Sequence, residues 1–392
     1  MDALKLYTPT QVGDIALSHR VVMAPLTRLR ADDNHVPREN IVAEYYSQRA
    51  SVPGTLIITE ATLIAQKAGG YDNVPGIWNA DQIAAWKKVT EAVHAKGSYI
   101  FLQLWAVGRG AMLEVLEREL GQSFTGEASP YVSSSNIPLL TREATAPAPR
   151  QLTIPEIAEY VELYAQAADN AVNQAGFDGV EVHGANGYLI DQFLQDVANK
   201  RTDKYGGSIE NRTQFALEVL NAVTKRVGPK KTGFRISPWN PYQGMGMADP
   251  VPQFSYLVKQ ILQKHPDLAY LHVTAKRLDK VTEGEVPGVN DTFDAGGSEN
   301  DFIREIWSKN GKKLITAGGY TKKTGERVAE EKGDLIAYGR PFISNPDLPY
   351  RLKHGLPLQK GDRDLYYAPT SDPKGYTDYP FSPEFVAEAK GI

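Results

Sequence analysis

Eight times along this chain a short apolar run is followed by a stretch with helical spacing, and that alternation constrains the fold more than any other feature. The runs lie at 20–24, 55–61, 98–104, from Gly179, and at 232–236, 270–274, 313–317 and 335–338; the helical stretches lie at 41–49, 81–96, from Thr153, and at 211–227, 252–264, from Asp301, 322–331 and 346–354. Strands covered by helices on both faces read as continuous apolar runs rather than strict alternations, as these do. The pattern predicts the α/β class and a closed (β/α)8 TIM barrel forming a single domain over residues 1–392. A short hairpin at 12–17 precedes the first barrel strand. An inserted region from Trp105 to Arg150, with scattered Pro and Ser and no sustained period, reads as loops over the mouth.

An open doubly wound sheet is the architectural alternative. It usually carries Gly-x-Gly-x-x-Gly after its first strand, where this chain has Ala24-Pro25-Leu26-Thr27. The nearest match, Gly244-Met245-Gly246, has Asp249 in place of the third glycine. One helix start is explicit: Thr153-Ile154-Pro155-Glu156 is a capping box, and Ile157, Val161, Ala165, Ala168 and Val172 hold one face until Gly176.

Composition narrows the function. The chain has no cysteine, which removes disulfides, thiolate metal sites, iron–sulfur clusters and a cysteine nucleophile, and no metal site is expected. A net charge of −4 leaves no electrostatic footprint for nucleic acid or an anionic membrane, so the expected partner is a small molecule. Asp2, Lys5 and Asp14 break any apolar leader, and the protein is expected to be cytoplasmic, as a monomer or homodimer. The sequons at Asn211 and Asn290 are then coincidental.

In such a barrel the strand C-termini carry the chemistry. After the fourth strand, Gly184 and Gly187 bracket a turn that presents His183, Asn186 and Tyr188 together. An imidazole N–H and an amide NH2 suit an oxygen gaining negative charge, and Tyr188 adds a proton donor. Each residue also has an ordinary structural reading, a satisfied strand-end histidine and a common Asn-Gly turn. The loops after strands seven and eight read Ala317-Gly318-Gly319 and Tyr338-Gly339-Arg340, where glycines admit an oxyanion to backbone N–H groups and Arg340 can neutralise it. A ligand with one phosphate is indicated. Thr27, Gln103 and Arg235 occupy other strand ends, and Arg235 points inward by parity with Gly233 while Phe234 and Ile236 face the helices. Its structural reading is a buried ion pair with Glu181 on the neighbouring strand; both roles can hold together.

Taken together, Pro25-Leu26-Thr27-Arg28, Gln103-Leu104-Trp105, the run from His183 to Leu189, the run from Lys200 to Ser208, Phe234-Arg235-Ile236-Ser237-Pro238 and Gly339-Arg340-Pro341-Phe342 resemble the old yellow enzyme family of FMN-dependent ene-reductases. The likeness runs from about residue 4 to 380 in one order and register, and Thr27 resembles the plant, yeast and enterobacterial branch rather than the one with cysteine there. The resemblance implies tightly bound, non-covalent FMN, with NADPH as hydride donor. Thr27 would meet the flavin C4 oxygen, Gln103 the pyrimidine edge and Arg235 the N1 and C2-oxygen side. Gly318, Gly319, Gly339 and Arg340 would hold the phosphate, and Pro25, Leu26, Ala61 and His183 would complete the cofactor site.

It further implies that an α,β-unsaturated carbonyl compound binds through its oxygen to His183 and Asn186. Hydride then goes to the β-carbon and a proton from Tyr188 to the α-carbon. Thr27, Trp105, Tyr367 and, with uncertain register, Phe293 would shape the substrate pocket. The alternatives are a dedicated natural-product reductase or isomerase of the same family, a flavin-free barrel lyase or epimerase using His183 and Glu181 on a phosphorylated substrate, and a non-catalytic binding protein.

Overall fold

The computed structural model describes residues 4–121, 126, 129–139, 146–275 and 298–391. Its centre is a closed barrel of parallel strands: β1 (Val21–Met23), β2 (Leu56–Leu63), β3 (Tyr99–Trp105), β4 (Gly179–Gly184), β5 (Thr232–Ile236), β6 (Tyr270–Thr274), β7 (Leu314–Ala317) and β8 (Leu335–Tyr338). Neighbours in sequence are neighbours in the barrel, and β8 closes onto β1 through Ile336↔Val21 and Tyr338↔Met23. Between them run α1 (Glu39–Arg49), α2 (Ala80–His94), α3 (Ile154–Asp169), α4 (Ile209–Val227), α5 (Val251–Lys264), α6 (Asp301–Ile306) and α7 (Lys322–Lys332), with α8 (Leu348–His354) after the last strand. The predicted (β/α)8 barrel is therefore the fold.

Strand alternation divides the apolar residues into two layers. Val21, Met23, Ile57, Ile100, Leu102, Val180, Val182, Phe234, Ile236, Leu271 and Ile336 face outward and join the helices in one large core. Val22, Leu56, Ile58, Phe101, Tyr270, Ile315 and Leu335 face inward and fill the lower barrel. Burying a side chain of this size stabilises by about 1.5–3 kcal/mol. The hairpin, Thr10–Val12 paired antiparallel with Ile15–Leu17, places Val12, Ile15 and Leu17 on that inner cluster and so closes the N-terminal end. Gly233 makes room inside, because a Cβ there would lie 2.3 Å from the Tyr270 ring. With its base packed shut, the barrel offers polar inward positions only near the C-terminal ends of its strands.

The insertion after β3 departs from the expected loops. It contains a helix at Leu113–Leu120, stopped by Gly121 in the left-handed region, and a parallel strand pair, Val132–Ser133 with Arg150–Gln151. Leu113, Leu116 and Leu120 supply helical spacing, but over too short a run to stand out among the surrounding prolines and serines. Leu189–Leu194 is also helical, immediately after the His-Asn-Tyr loop, and further helices form at Arg340–Ser344 and Pro383–Ala389. In β2 the register with β3 shifts between Ile58 and Ala61, a bulge that turns Glu60 away from the barrel axis toward the Arg28 N–H. Phe293 and most of the polar loop at 283–300 lie outside the described residues. Among the described residues no helix is long and apolar enough to cross a membrane.

The capping box at α3 forms as the sequence predicts: Thr153 accepts from the Glu156 N–H and the Glu156 carboxylate accepts from the Thr153 N–H at 2.8 Å. Arg150 adds a forked pair to the same carboxylate at 2.8 and 2.6 Å. The Arg150 hydrogen bonds, helped by the Thr153 N–H and hydroxyl, outweigh burial and hold the Glu156 carboxyl down at about 2. The unfolded chain, with an ordinary carboxyl near 4.5, binds this proton more tightly than the native state does. The stabilisation is therefore complete above pH 4.5 and is lost as pH falls toward about 2. Glu156→Gln keeps the cap but removes the charge, and should cost about 1 kcal/mol at pH 7. Urea unfolding of parent and variant should show that gap narrowing steadily below pH 4.5; a gap independent of pH would mean that the charge contributes nothing.

Candidate active site

The inward residues near the C-terminal ends of β3 to β6 form a polar floor above the apolar interior. Strand register places Gln103 beside Glu181, and His183 beside Arg235, which in turn sits beside His272. Glu181 has no exposed surface; its Oε2 faces the His272 Nδ1 at 2.8 Å and its Oε1 accepts from the Gln103 Nε2 at 2.7 Å. Beside the expected influence of Arg235, Glu181 therefore makes a contact with His272 that the sequence did not anticipate. Arg235 still acts on Glu181 through its charge. Burial would raise the Glu181 carboxyl, but His272, Arg235 and the Gln103 hydrogen bond outweigh it, so the carboxylate stays ionised. Burial and the Arg235 charge keep His272 uncharged against the pull of Glu181, with Nδ1–H as the donor.

An ionised carboxylate can only accept. Gln103 must therefore turn its Nε2 toward Glu181, which leaves its Oε1 to meet a ligand N–H such as the N3–H of a flavin pyrimidine. Arg235 is 8% exposed and supplies fixed positive charge on the same floor. Ala61, paired with Gln103 across β2 and β3, is nearly buried. Pro25, Leu26 and Thr27 follow β1 as a partly exposed shelf.

At the other side of the mouth, Gly318 cannot carry a side chain, because its Cβ would lie 2.5 Å from that of Ala275. Gly319 has φ +83°, in the left-handed region, and a Cβ on Gly339 would lie 3.3 Å from the Leu26 side chain. Arg340 is partly exposed beside these loops and its charge reaches the Tyr366 phenol. Two glycine turns and a guanidinium suit one phosphate. The donor set of floor and loops fits a ring with a polar N–H and carbonyl edge and a phosphate tail, as in FMN.

His183 is 3% exposed, and its Nδ1 is buried with no hydrogen-bond partner among the described residues. Burial, then the charge of Arg235, then His272 hold its pKa well below the ordinary value, so the ring is neutral and offers one N–H. Tyr188 packs edge-on to His183 at 5.1 Å between centroids and to Trp105 at 4.9 Å, and Trp105 meets Tyr71 at 5.5 Å. Burial, with Tyr71, Tyr242 and Tyr367 nearby, holds the Tyr188 phenol well above 10. It stays protonated.

Asn186 takes φ +58°, unusual for a residue with a side chain but tolerated by asparagine. Its N–H donates to the Ser237 Oγ at 2.7 Å and its carbonyl accepts from the Gln243 Nε2 at 3.1 Å. The next N–H, of Gly187, donates to the Asp191 Oδ2 at 2.9 Å, and Gln195 donates to Oδ1 at the same distance. Burial lifts the Asp191 carboxyl to about 7 in spite of these donors. The turn is held by side chains from β5's loop and from the helix at Leu189–Leu194.

Every described residue singled out from the sequence lies at this face. Tyr367, 65% exposed, is brought there because Arg28 donates to the carbonyls of Tyr366 at 2.9 Å and Gly375 at 2.7 Å. Three residues at the mouth were not anticipated: Tyr71, Tyr242 and Asn240. The last two follow β5 in Trp239-Asn240-Pro241-Tyr242, and a strand-end position in a barrel was the signal available for them.

Comparison with known proteins identifies the family. The chain is 50% identical over 391 residues to a chanoclavine-I aldehyde reductase of Penicillium roqueforti (strain FM164), covering 97% of each. It is 46% identical over 396 residues to a protein of Epichloe festucae var. lolii named probable inactive reductase easA, covering 100% of this chain and 98% of that one. The crystal structure of Old Yellow Enzyme from Pichia sp. AKU4542 superposes with a TM-score of 0.84 at 36% identity, over 97% of this chain and 94% of that one. A family model, described as the NADH:flavin oxidoreductase / NADH oxidase family, matches residues 5–359, and with a barrel and a polar floor of this form the chain belongs to that family, the flavin oxidoreductases of the old yellow enzyme type.

Proposed function

We propose that this protein is an FMN-dependent ene-reductase that uses NADPH to reduce the activated C=C bond of an α,β-unsaturated carbonyl compound. The observation that carries the reading is the packing of a neutral imidazole, His183, against a protonated phenol, Tyr188, beside Trp105 and in the same short turn as Asn186. FMN, when bound, would supply the hydride-transfer chemistry between nicotinamide and alkene. Thr27, Gln103 and Arg235 would hold its ring edge, Pro25, Leu26, Ala61 and His183 would line the ring, and Gly318, Gly319, Gly339 and Arg340 would hold its phosphate. Residues 1–392 act as one FMN-binding unit, cytoplasmic in this reading.

The protein groups divide the remaining work. His183 and Asn186 donate to the carbonyl oxygen, draw electron density from the β-carbon and fix the alkene in one orientation; such preorganised donors gain strength as negative charge grows on the oxygen. Tyr188 gives its proton to the α-carbon, which balances the hydride delivered to the β-carbon, and recovers it from solvent. Its raised pKa keeps that proton in place until carbon, a far stronger base in the activated substrate, takes it. Thr27, Trp105, Tyr71 and Tyr367 wall the space. Because the Penicillium relative is named an aldehyde reductase, an unsaturated aldehyde is the favoured physiological substrate within this class. The presence of His183, Asn186 and Tyr188 together in one short run is the feature of this chain that favours turnover.

The purified protein should be yellow and should consume NADPH with 2-cyclohexenone. Tyr188→Phe removes only the hydroxyl, and should slow cyclohexenone reduction by roughly 10²-fold, the scale of a positioned general acid. Consumption of NADPH with a quinone, whose oxygens take protons from water, should stay within a few-fold of the parent. Parental cyclohexenone rates in the variant would reduce Tyr188 to a pocket wall. For Arg235→Met, the loss of a cation beside the ring should lower the flavin midpoint potential or abolish FMN retention after gel filtration. Normal content and potential would confine Arg235 to balancing Glu181.

A further inference from the structure

An asparagine side chain has a donor end and an acceptor end of nearly the same shape. Only its Nδ2 can serve a carbonyl oxygen, so Asn186 is useful to the proposed reaction in one of its two flip states. The adjoining loop decides which. Asn186 Oδ1 accepts from the Asn240 Nδ2 at 2.8 Å, and Asn240 Oδ1 accepts from the Tyr242 N–H at 3.0 Å. The second contact has a fixed sense, because a backbone N–H can only donate. It commits Asn240 to present its NH2 to Asn186, and that commits Asn186 to answer with its oxygen.

The local sequence builds this device. Asn240-Pro241 starts a turn in which the asparagine oxygen reaches the N–H two residues on, and Pro241, at φ −81° and ψ 0°, contributes no competing donor. The Asn186 backbone is itself clamped by Ser237 and Gln243, so its side chain cannot escape the contact by moving the turn. Gly187 keeps the two loops close, since a Cβ there would sit 2.8 Å from the Gln243 Cβ and 3.0 Å from the Tyr242 carbonyl.

We infer that Asn240 is a positioning residue that polarises Asn186, passing the donor sense of the Tyr242 N–H to the amide that binds the substrate oxygen. The inference rests on the proposed role of Asn186 as a donor to that oxygen. It separates two substitutions that a merely structural role would not distinguish. Asn240→Ala frees the amide to choose its own orientation. Asn240→Asp replaces the donor by an acceptor, so Asn186 turns its NH2 toward the new carboxylate and its oxygen toward the ligand.

The test uses the FMN-loaded protein and 4-cyanophenol, whose phenolate oxygen stands in for the activated carbonyl oxygen, with binding followed by calorimetry. Asn240→Asp should weaken binding by about 10–100-fold and Asn240→Ala by only a few-fold. In an Asn186→Ala background the Asn240→Asp effect should shrink below about two-fold. An undiminished effect there would mean simple repulsion by the added charge and would overturn the inference, as would equal losses for Asn240→Ala and Asn240→Asp. A neutron structure of the parent in heavy water tests the same point without any variant: deuterons should lie on Asn240 facing Asn186 and on the Asn186 nitrogen facing the pocket, and the reverse polarity overturns the relay. Should the parent carry no FMN or bind no phenol, the functional reading fails, while the neutron map still decides the relay.

Discussion

A single carboxylate with no exposed surface, Glu181, organises the floor of this barrel. Taking a carboxylate out of water costs several kcal/mol unless partners replace the lost hydration, and the partners chosen here define the site. His272 stands on one side and Gln103 on the other, with the Arg235 charge close enough to stabilise the ionised form. Each partner is then constrained in return. Gln103 loses its freedom to flip, His272 must keep its proton on Nδ1, and Arg235 becomes a resident cation whose field adds to burial in holding His183 neutral. The donor and acceptor pattern presented upward is therefore a consequence of one buried charge below it.

Polarity is set the same way at the rim. Glu181 fixes Gln103 because a carboxylate can only accept, and Tyr242 fixes Asn240 because a backbone N–H can only donate. In both cases an amide that could face either way is tied to a group that cannot change its role. The surrounding turn is correspondingly rigid, with Asn186, Gly187 and Ser237 gathered on Asp191 and Gln243. A site built from neutral donors, with few full charges facing the ligand, depends on such orientation more than on electrostatic attraction.

How much of this was legible in the sequence follows from the range of the interactions involved. Strand runs, side-chain parity and the Thr153–Glu156 cap depend on neighbours in sequence, and they gave the barrel, the inward Arg235 and the start of α3. The motif run from His183 to Tyr188 brought the candidate catalytic group to light for the same reason. Glu181 and His272 are 91 residues apart, on strands that are not neighbours, and only curvature of the closed barrel lets their side chains meet. Linear reading set Glu181 beside Arg235, because β4 and β5 pair directly, and missed His272. Tyr71 reaches the mouth on a loop whose path depends on packing against other loops, and for Asn240 only its place after a barrel strand hints at that destination.

The mouth itself depends on a second buried electrostatic arrangement, independent of the first. Thr27 and Arg28 are adjacent, yet Thr27 lies on the open shelf while Arg28 is fully buried and reaches the carbonyls of the segment that carries Tyr367. Its guanidinium lies 5.3 and 5.0 Å from the Tyr45 and Tyr376 rings, which stack face to face at 4.1 Å, and Arg49 covers Tyr45 at 3.7 Å. Cations over aromatic faces retain attraction in a dry environment where hydration is lost. The β2 bulge brings Glu60 to the Arg28 N–H, and burial lifts that carboxyl to about 7 against the pull of the arginines. The segment that forms the shelf therefore also anchors the C-terminal segment. Displacing Arg28 would move Tyr366 and Tyr367 together with the backbone of Thr27, which couples the width of the mouth to the position of the shelf beneath it.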